Sequence, residues 1–389
     1  MAPFPFLEPE IVRTTERVLL ADHTTLRLGG PAARFIAAGS EEELVSAVRA
    51  ADLAAEPVLV LGGGSNLVVA DEGFPGTVVH AGFAGFEVGA ASDGPAGPVV
   101  EVSVAAGQDW DGLVRQCVAA GLSGIECLSG IPGLAGATPI QNVGAYGQDV
   151  AQTITAVRAY DRLRGEIIEL GNADCGFGYR TSMFKREAAA GPASGAGPRP
   201  AADPRGATGR YVVLTVTLGL TVSALSAPVR YGELARSLGV AEGGRVPLAD
   251  ARDAVIALRR GKGMVLDDAD PDTRSAGSFF TNPVVSAAQF ADLAAAVRGG
   301  IPHFAAEDGG VKVPAAWLIE HAGFGKGYAL SQDPTAARIS AKHTLALTNP
   351  GQSSTADLVR LARHIRAGVR ATFGIELAAE PTLVSVQLL

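Results

Sequence analysis

GIECLSGIPGLAGATPIQNVGAYGQDV, residues 124–150, is too crowded with glycine and proline to hold a regular helix or strand. Gly130, Gly133, Gly136, Gly144 and Gly147 can take positive φ and let main-chain N–H groups approach a ligand, while Pro132 and Pro139 stiffen the same loops. Ser129, Thr138, Gln141, Asn142 and Tyr146 add hydrogen-bonding groups without charge. A surface of this kind suits a large, flat, polar-edged cofactor whose diphosphate sits on N–H groups and whose ring lies against backbone. The alternative is a series of tight structural turns with no ligand, although long loops in compact domains are more often functional than idle.

Upstream, VLVLGGGSNLVV (58–69) runs from an apolar segment into Gly62, Gly63 and Gly64 and then resumes, which reads as strand, turn, strand. A GxGxxG dinucleotide fingerprint needs a helix after the glycines, and LVVADEGFP does not make one, so a Rossmann unit is disfavoured. Two glycine-rich loops of phosphate-binding type in one chain carry more weight than either alone.

A chain of 389 residues accommodates two to three domains of about 100–200 residues each. Hydrophobic residues make up 47% but are interrupted by charge and glycine, and no apolar run reaches the ~20 residues of a membrane span. MAPFPFLEPEIVRTTERVLL does not read as a secretory signal, so a cytoplasmic protein is expected. The net charge of −8 argues against a general affinity for nucleic acid or anionic membrane, and any anionic substrate must meet local positive charge. Cys117, Cys127 and Cys175 form no CxxC pair and are expected as free thiols. His23, His80, His303, His321, His343 and His364 are scattered without ligand spacing, and no metal is expected.

Thr25–Ile36 opens with alternation, Ser40 starts a capping-box-like helix, and Val58–Leu61 is a strand, so a βαβ unit is expected with GGGSN at its carboxyl end. Short strands follow over 76–104, then a helix over 109–121 with Trp110, Leu113, Val114 and Cys117 on one face. Residues 153–170 and 211–220 alternate as strands. Between them, 188–209 is rich in Ala, Gly and Pro and reads as a disordered surface insertion, removable without loss of activity. After Ala227 the pattern changes: 232–238, 249–260, 286–297, 314–322 and 355–373 read as helices and 338–340 and 344–348 as strands, a separate α+β domain. Residues 383–388 read as a terminal strand.

Arg180 stands among aromatic and apolar neighbours, where a guanidinium is costly unless paired. It suits a carboxylate or a developing enolate, or else an internal salt bridge. Ser278 lies between a glycine and two phenylalanines, with no GxSxG elbow, so a proton-donating hydroxyl in a dry site fits better than a nucleophile. A serine bonded to backbone is the alternative. Glu380, near the last helix, reads by itself as a solvated acid.

LGGGSNLVV (61–69), SGIPGLAGATPIQNVGAYGQ (129–148), CGFGYRTSMFK (175–185) and AGSFFTNP (276–283), in this order along nearly the whole chain, resemble the UDP-N-acetylenolpyruvoylglucosamine reductase (MurB) family, type I. The resemblance implies an α+β protein: a two-subdomain FAD-binding module of the PCMH/VAO type (1–80 and 81–227, the latter with the insertion) and a substrate-binding domain (228–379), with 380–389 returning to the first subdomain. It implies non-covalent FAD held by Gly62, Gly63, Gly64, Ser65, Asn66, Gly130, Ile131, Pro132, Gly133, Ala137, Thr138, Gln141, Asn142, Gly144, Ala145 and Tyr146. Tyr179, Tyr231, Lys262 and Asn282 would hold the substrate. Arg180 and Glu380 would flank the enolpyruvyl group while Ser278 donates a proton. Glu380 is aligned by its distance from Phe373-Gly374-Ile375, because Ala378-Ala379 departs from the Glu-Pro frequent in the family. The implied reaction is reduction by NADPH, through flavin N5, of UDP-N-acetylglucosamine enolpyruvate to UDP-N-acetylmuramate, in peptidoglycan precursor synthesis, by a monomer acting on small molecules. Two other readings stay open: a flavin oxidase of the same cofactor-binding superfamily, marked by rapid oxygen consumption, and a nucleotide-sugar-binding protein without flavin, marked by a colourless purified protein.

Overall fold

The computed structural model describes residues 14–94, 97–190, 208–297, 300–306 and 309–388. Its first layer contains β1 (Thr14–Glu16), β2 (Ala32–Ala38), α1 (Glu41–Leu53), β3 (Val58–Leu61), β4 (Leu67–Val69) and β5 (Phe74–Ala81). The sheet order is β1-β2-β5-β3, parallel except for β1 at its edge. The strand–helix–strand unit forms, but β5 is inserted between its two strands. Helix α1 begins where the Ser…Glu pattern places it, with Ser40 Oγ accepting from Glu43 N at 3.2 Å. Its face of Leu44, Ala47, Val48 and Ala51 packs with Ile36, Val58 and Val79. Strand β2 starts later than the alternation from Thr25 suggests. Gly29–Pro31 break the run, and a Cβ on Gly30 would lie 2.0 Å from the Asp71 carbonyl oxygen.

The second layer holds β6 (Phe86–Val88), β7 (Val99–Ala105), α2 (Trp110–Ala119), β8 (Leu122–Ser123), the ribbon of β9 (Gly144–Ala145) and β10 (Gln148–Asp149), β11 (Ile154–Asp161), β12 (Glu166–Gly171), α3 (Met183–Ala190) and β13 (Tyr211–Val222). Its antiparallel order is β12-β11-β13-β7-β6, with β8 on β13. Trp110, Leu113, Val114 and Cys117 form the buried face of α2, as their spacing predicts. Strand β13 joins two cores: Val212 and Leu214 pack with Val58 and Val79, and Val216, Leu218 and Leu220 pack with Trp110. The three cysteines are buried and unbridged.

Most of the expected insertion, 191–207, lies outside the described residues. Its ends correct the expectation. Residues 188–190 continue α3, and Thr208 is tied to β3, its N donating to Val58 O at 3.2 Å and its Oγ1 accepting from Val60 N at 2.6 Å. Deleting the whole of 188–209 therefore removes hydrogen bonds that β3 uses, and is not expected to be harmless.

The remainder comprises α4 (Gly232–Leu238), α5 (Leu248–Gly261), β14 (Ser275–Ser278), β15 (Val284–Val285), α6 (Ala287–Ala296), β16 (Phe304–Ala305), β17 (Val311–Lys312), α7 (Ala315–His321), β18 (Arg338–Ile339), β19 (Ala346–Thr348), α8 (Thr355–Phe373) and β20 (Thr382–Val384). Two small sheets, β14-β19-β18 and β15-β17-β16, share a core with α8, whose Leu358, Leu361, Ile365 and Val369 pack with Phe279 and Phe280. Ser286–Gln289 and Ser354–Asp357 form complete capping boxes on α6 and α8. Helices α4 and α5 pack on the second layer instead. Leu234, Ala235 and Val255 bury against Cys127, and Arg252 grips Asp111 through two bonds of 2.7 and 2.8 Å. The compositional change after Ala227 is thus not a packing boundary. The terminal strand is shorter than expected, because Ser385 takes φ +56 and turns the chain away. What remains, β20, pairs in parallel with β4.

Candidate functional site

Three distant segments close around one cavity. Gly63 and Gly133 meet back to back: a Cβ on Gly63 would lie 2.8 Å from Gly133 Cα, so bare backbone is required at that crossing. Ser65 Oγ donates to Pro132 O at 2.9 Å, and Asn66 Nδ2 donates to Gln141 Oε1 at 2.6 Å. Thr382 N donates to Asn66 O at 2.9 Å, which brings the last strand to the same place. The cavity between them measures about 330 Å³.

Arg180, Ser278 and Glu380 all stand on its wall. Arg180 follows Tyr179 just before α3 and takes φ +52, a conformation that costs a bulky side chain roughly 1–3 kcal/mol and persists only when surroundings enforce it. Here they do: Nη2 donates to Gly144 O at 2.7 Å, Nη1 to Asn142 O at 3.5 Å, and Nε lies 3.0 Å from Glu380 Oε1. Glu380 is not the solvated acid its sequence context suggests, its side chain being only 13% exposed. Burial raises its carboxyl above the ordinary range, while Arg180 and Lys185 pull the other way. Glu380 N donates to Phe279 O at 2.9 Å, so the acid is anchored to the residue after Ser278. Ser278 ends β14 opposite Ala346. Its hydroxyl has no hydrogen-bond partner among the described residues, so a ligand can take it.

A second group lies beside the cavity. Tyr146 meets Tyr231 edge-on with ring centroids 5.5 Å apart, and the Lys262 ammonium sits 5.4 Å above the Tyr146 ring. Burial is the largest single influence and works against the charge of Lys262, but the 2.5 Å bond to Glu233, together with the charges of Tyr146, Glu233 and Tyr231, outweighs it and holds its pKa above the ordinary value. Tyr179, 44% exposed, has Lys312 4.4 Å over its ring. Asn282 Oδ1 accepts from Ala315 N at 2.9 Å and so positions the start of α7.

Among the residues expected at a cofactor, Gly62, Gly63, Gly64, Ser65, Asn66, Ile131, Pro132, Gly133, Ala137, Thr138, Gln141 and Gly144 line the cavity. Gly130, Asn142, Ala145 and Tyr146 are not in its lining. The reasons are local. Gly130 N donates to Asp111 Oδ1 at 2.6 Å, and a Cβ there would meet Ile256 Cδ1 at 2.7 Å. The Asn142 side chain spans Gly178 O and Ala151 N, and Ala145 is paired to Gln148 in the ribbon. The substrate-side expectations Tyr179, Tyr231, Lys262 and Asn282 also stand outside the lining. Sequence reasoning missed Lys185, Thr208, Gly209, Arg259 and Thr382, which do line it. Lys185 stood inside a quoted motif and could have been found; the others carry no local signal.

These residues fit a flavin adenine dinucleotide. Gly62, Gly63, Gly64 and Gly133 bring bare backbone to the cavity wall, the kind of surface that suits a diphosphate, apolar Leu61, Ile131 and Val213 offer walls for flat rings, and Lys185 and Arg259 supply cations. Burial lowers the Arg259 guanidinium to about 10, and its Nε has no partner among the described residues.

Comparison with known proteins points the same way. Residues 270–384 match the family model described as the C-terminal domain of UDP-N-acetylenolpyruvoylglucosamine reductase, and residues 32–171 match an FAD-binding domain. The chain is 54% identical to UDP-N-acetylenolpyruvoylglucosamine reductase of Thermobifida fusca (strain YX) over 377 residues, 95% of this chain and 98% of that protein. It is 50% identical to the protein of the same name from Streptomyces coelicolor over 393 residues, 99% of this chain and 94% of that protein. Among solved structures it is similar to the reductase (MurB) from Thermus caldophilus, at TM-score 0.60 and 27% identity, covering 96% of this chain and 100% of that one.

Proposed function

The chain belongs to the UDP-N-acetylenolpyruvoylglucosamine reductase family, and from that membership we propose that it reduces UDP-N-acetylglucosamine enolpyruvate to UDP-N-acetylmuramate at the expense of NADPH. As a member it is an FAD-dependent oxidoreductase. The observation that carries the finer reading is the convergence of Arg180, Ser278 and Glu380 on the wall of the cavity that both glycine loops enclose.

Bound FAD supplies hydride chemistry at that wall. Gly62–Asn66 and Ile131–Gly133 hold the nucleotide with backbone groups, and the first two layers serve as its module, with α4 and α5 leaning on them. With hydride from FAD reduced by NADPH, the terminal vinyl carbon of the substrate would become a methyl group, and the electron pair of the double bond would move toward the carboxylate as an enolate. The fixed Arg180 fork stabilises that developing charge, with Glu380 holding the guanidinium in register. Ser278, on the other wall, gives its proton to the carbon next to the carboxylate. Tyr146, Tyr231 and Lys262, beside the cavity, suit the nucleotide part of the substrate, an ammonium and two rings facing a diphosphate and a base.

Purified protein scanned for a flavin band, followed by NADPH oxidation with and without the enolpyruvyl nucleotide sugar, tests this. Turnover that needs the sugar supports it; a flavin-free protein, or oxidation coupled only to oxygen, would sink it.

A further inference from the structure

Behind the cavity stands a buried ion pair that takes no part in the chemistry described above. Arg162, directly after β11, has a side chain only 1% exposed. Its Nε and Nη2 donate to Asp52 Oδ2 and Oδ1 at 3.1 and 2.6 Å, a two-armed grip on the end of α1. Its Nη1 donates to two backbone carbonyls, Thr208 O at 2.6 Å and Gly209 O at 2.9 Å. Arg162 is not in the cavity lining, whereas Thr208 and Gly209 are, so both carbonyls are drawn to the far side of the wall. A trans peptide is planar, with its N–H directed opposite to its C=O. No peptide bond among the described residues is cis, so the unit joining Thr208 to Gly209 turns the Gly209 N–H away from Arg162 and toward the cavity. Gly209 is buried, and that N–H has no hydrogen-bond partner among the described residues. Buried backbone donors are almost always paired, so one left over at a cavity wall calls for an acceptor on the bound group.

We propose that Arg162, held by Asp52, is a positioning residue for the cofactor, which aims the Gly209 N–H at an acceptor in the adenylate half of FAD. The order of the wall selects that half. Thr208 is bonded to β3, ahead of the Gly62–Gly64 turn, while Asn66, beyond the turn, accepts from Thr382, two residues from Glu380. With the diphosphate on the glycines and the flavin ring facing Arg180, Ser278 and Glu380, the β3 end is left for the adenylate. The inference rests on the FAD of this family and is independent of the enolpyruvyl sugar.

Titration of the flavin-free full chain with FAD and with FMN, which lacks the adenylate, gives two dissociation constants from the quenching of flavin fluorescence and requires no turnover. Arg162→Lys keeps a charge for Asp52 but has no planar fork with which to hold the two carbonyls as well. It should weaken FAD by about 10-fold, the weight of one hydrogen bond, and change FMN by less than about twofold. Asp52→Asn, which takes the anchor from the guanidinium, should act in the same direction, and the double variant should be within about twofold of Arg162→Lys because the two residues work as one unit. Equal weakening of FAD and FMN, as a general loosening of the fold would give, overturns the assignment. So do additive losses in the double variant, or FAD binding at wild-type strength in Arg162→Lys. Should Arg162→Lys fail to fold, the same comparison of FAD with FMN in Asp52→Asn decides. A wild-type protein that binds no FAD removes the flavin reading itself, an outcome distinct from a wild-type preference for FAD over FMN that survives in both variants.

Discussion

Arg180 Nε lies 3.0 Å from Glu380 Oε1, a contact between the middle of the chain and its last segment. It exists because Glu380 is drawn in on both sides, by the Phe279 carbonyl and by Thr382 joining Asn66. The pair joins the middle of the chain to its last segment at the cavity wall.

Arg180→Ala should lower turnover by at least ~100-fold, and Arg180→Lys should be nearly as poor. Lysine has no planar fork with which to meet Glu380 and the Gly144 carbonyl at once. Steady-state kinetics with flavin content measured alongside would check this; an active lysine variant would mean that the fork is dispensable.

Ser278→Ala should separate the two half-reactions. Flavin reduction by NADPH should proceed at the wild-type rate, while reoxidation by the enolpyruvyl sugar slows by at least ~100-fold. Stopped-flow absorbance resolves both phases. Normal product formation would remove Ser278 from its role.

Gly62 and Gly63 are neighbours with different tolerances. A Cβ at Gly63 would press on Gly133 Cα at 2.8 Å, whereas at Gly62 its nearest atom is Leu134 Cβ at 3.8 Å. Gly63→Ala should therefore cost about 1–3 kcal/mol in flavin-free protein, and Gly62→Ala much less. Denaturant unfolding of the two flavin-free variants measures the difference; equal stabilities would contradict the crossing.

Burial lowers the His343 imidazole to about 4, with the Lys262 and Lys326 charges adding to the effect. In the unfolded chain the ring titrates near ~6.5, so between these values the unfolded state binds a proton that the folded state refuses. Stability falls as pH drops through that window and is unaffected above it. From pH 7 to pH 5, His343→Gln should lose about 2 kcal/mol less than wild type in chemical unfolding. Parallel losses in the two proteins would show that the ring is not held neutral.

Local elements were legible because their causes are local. Ser40 capped its helix where expected, the apolar face of α2 followed its spacing, and the glycines of 62–64 bent the chain after β3. The return of the last segment to the first subdomain, implied by the resemblance, is seen as β20 on β4. Pairing within the first sheet was not legible: β5 came between β2 and β3, since which backbone edges meet depends on how layers stack rather than on residues within either strand. For the same reason the shift in composition after Ala227 misplaced α4 and α5, whose apolar faces found the second layer.

By itself the sequence determined the cradle. Glycines at 63, 64 and 133 admit backbone where side chains would collide, a property of each residue that no fold has to supply. Tertiary structure alone decided the charges. Glu380 became a buried partner of Arg180, and Thr208 joined β3, because burial and pairing arise only when distant segments are brought within a few ångströms of one another.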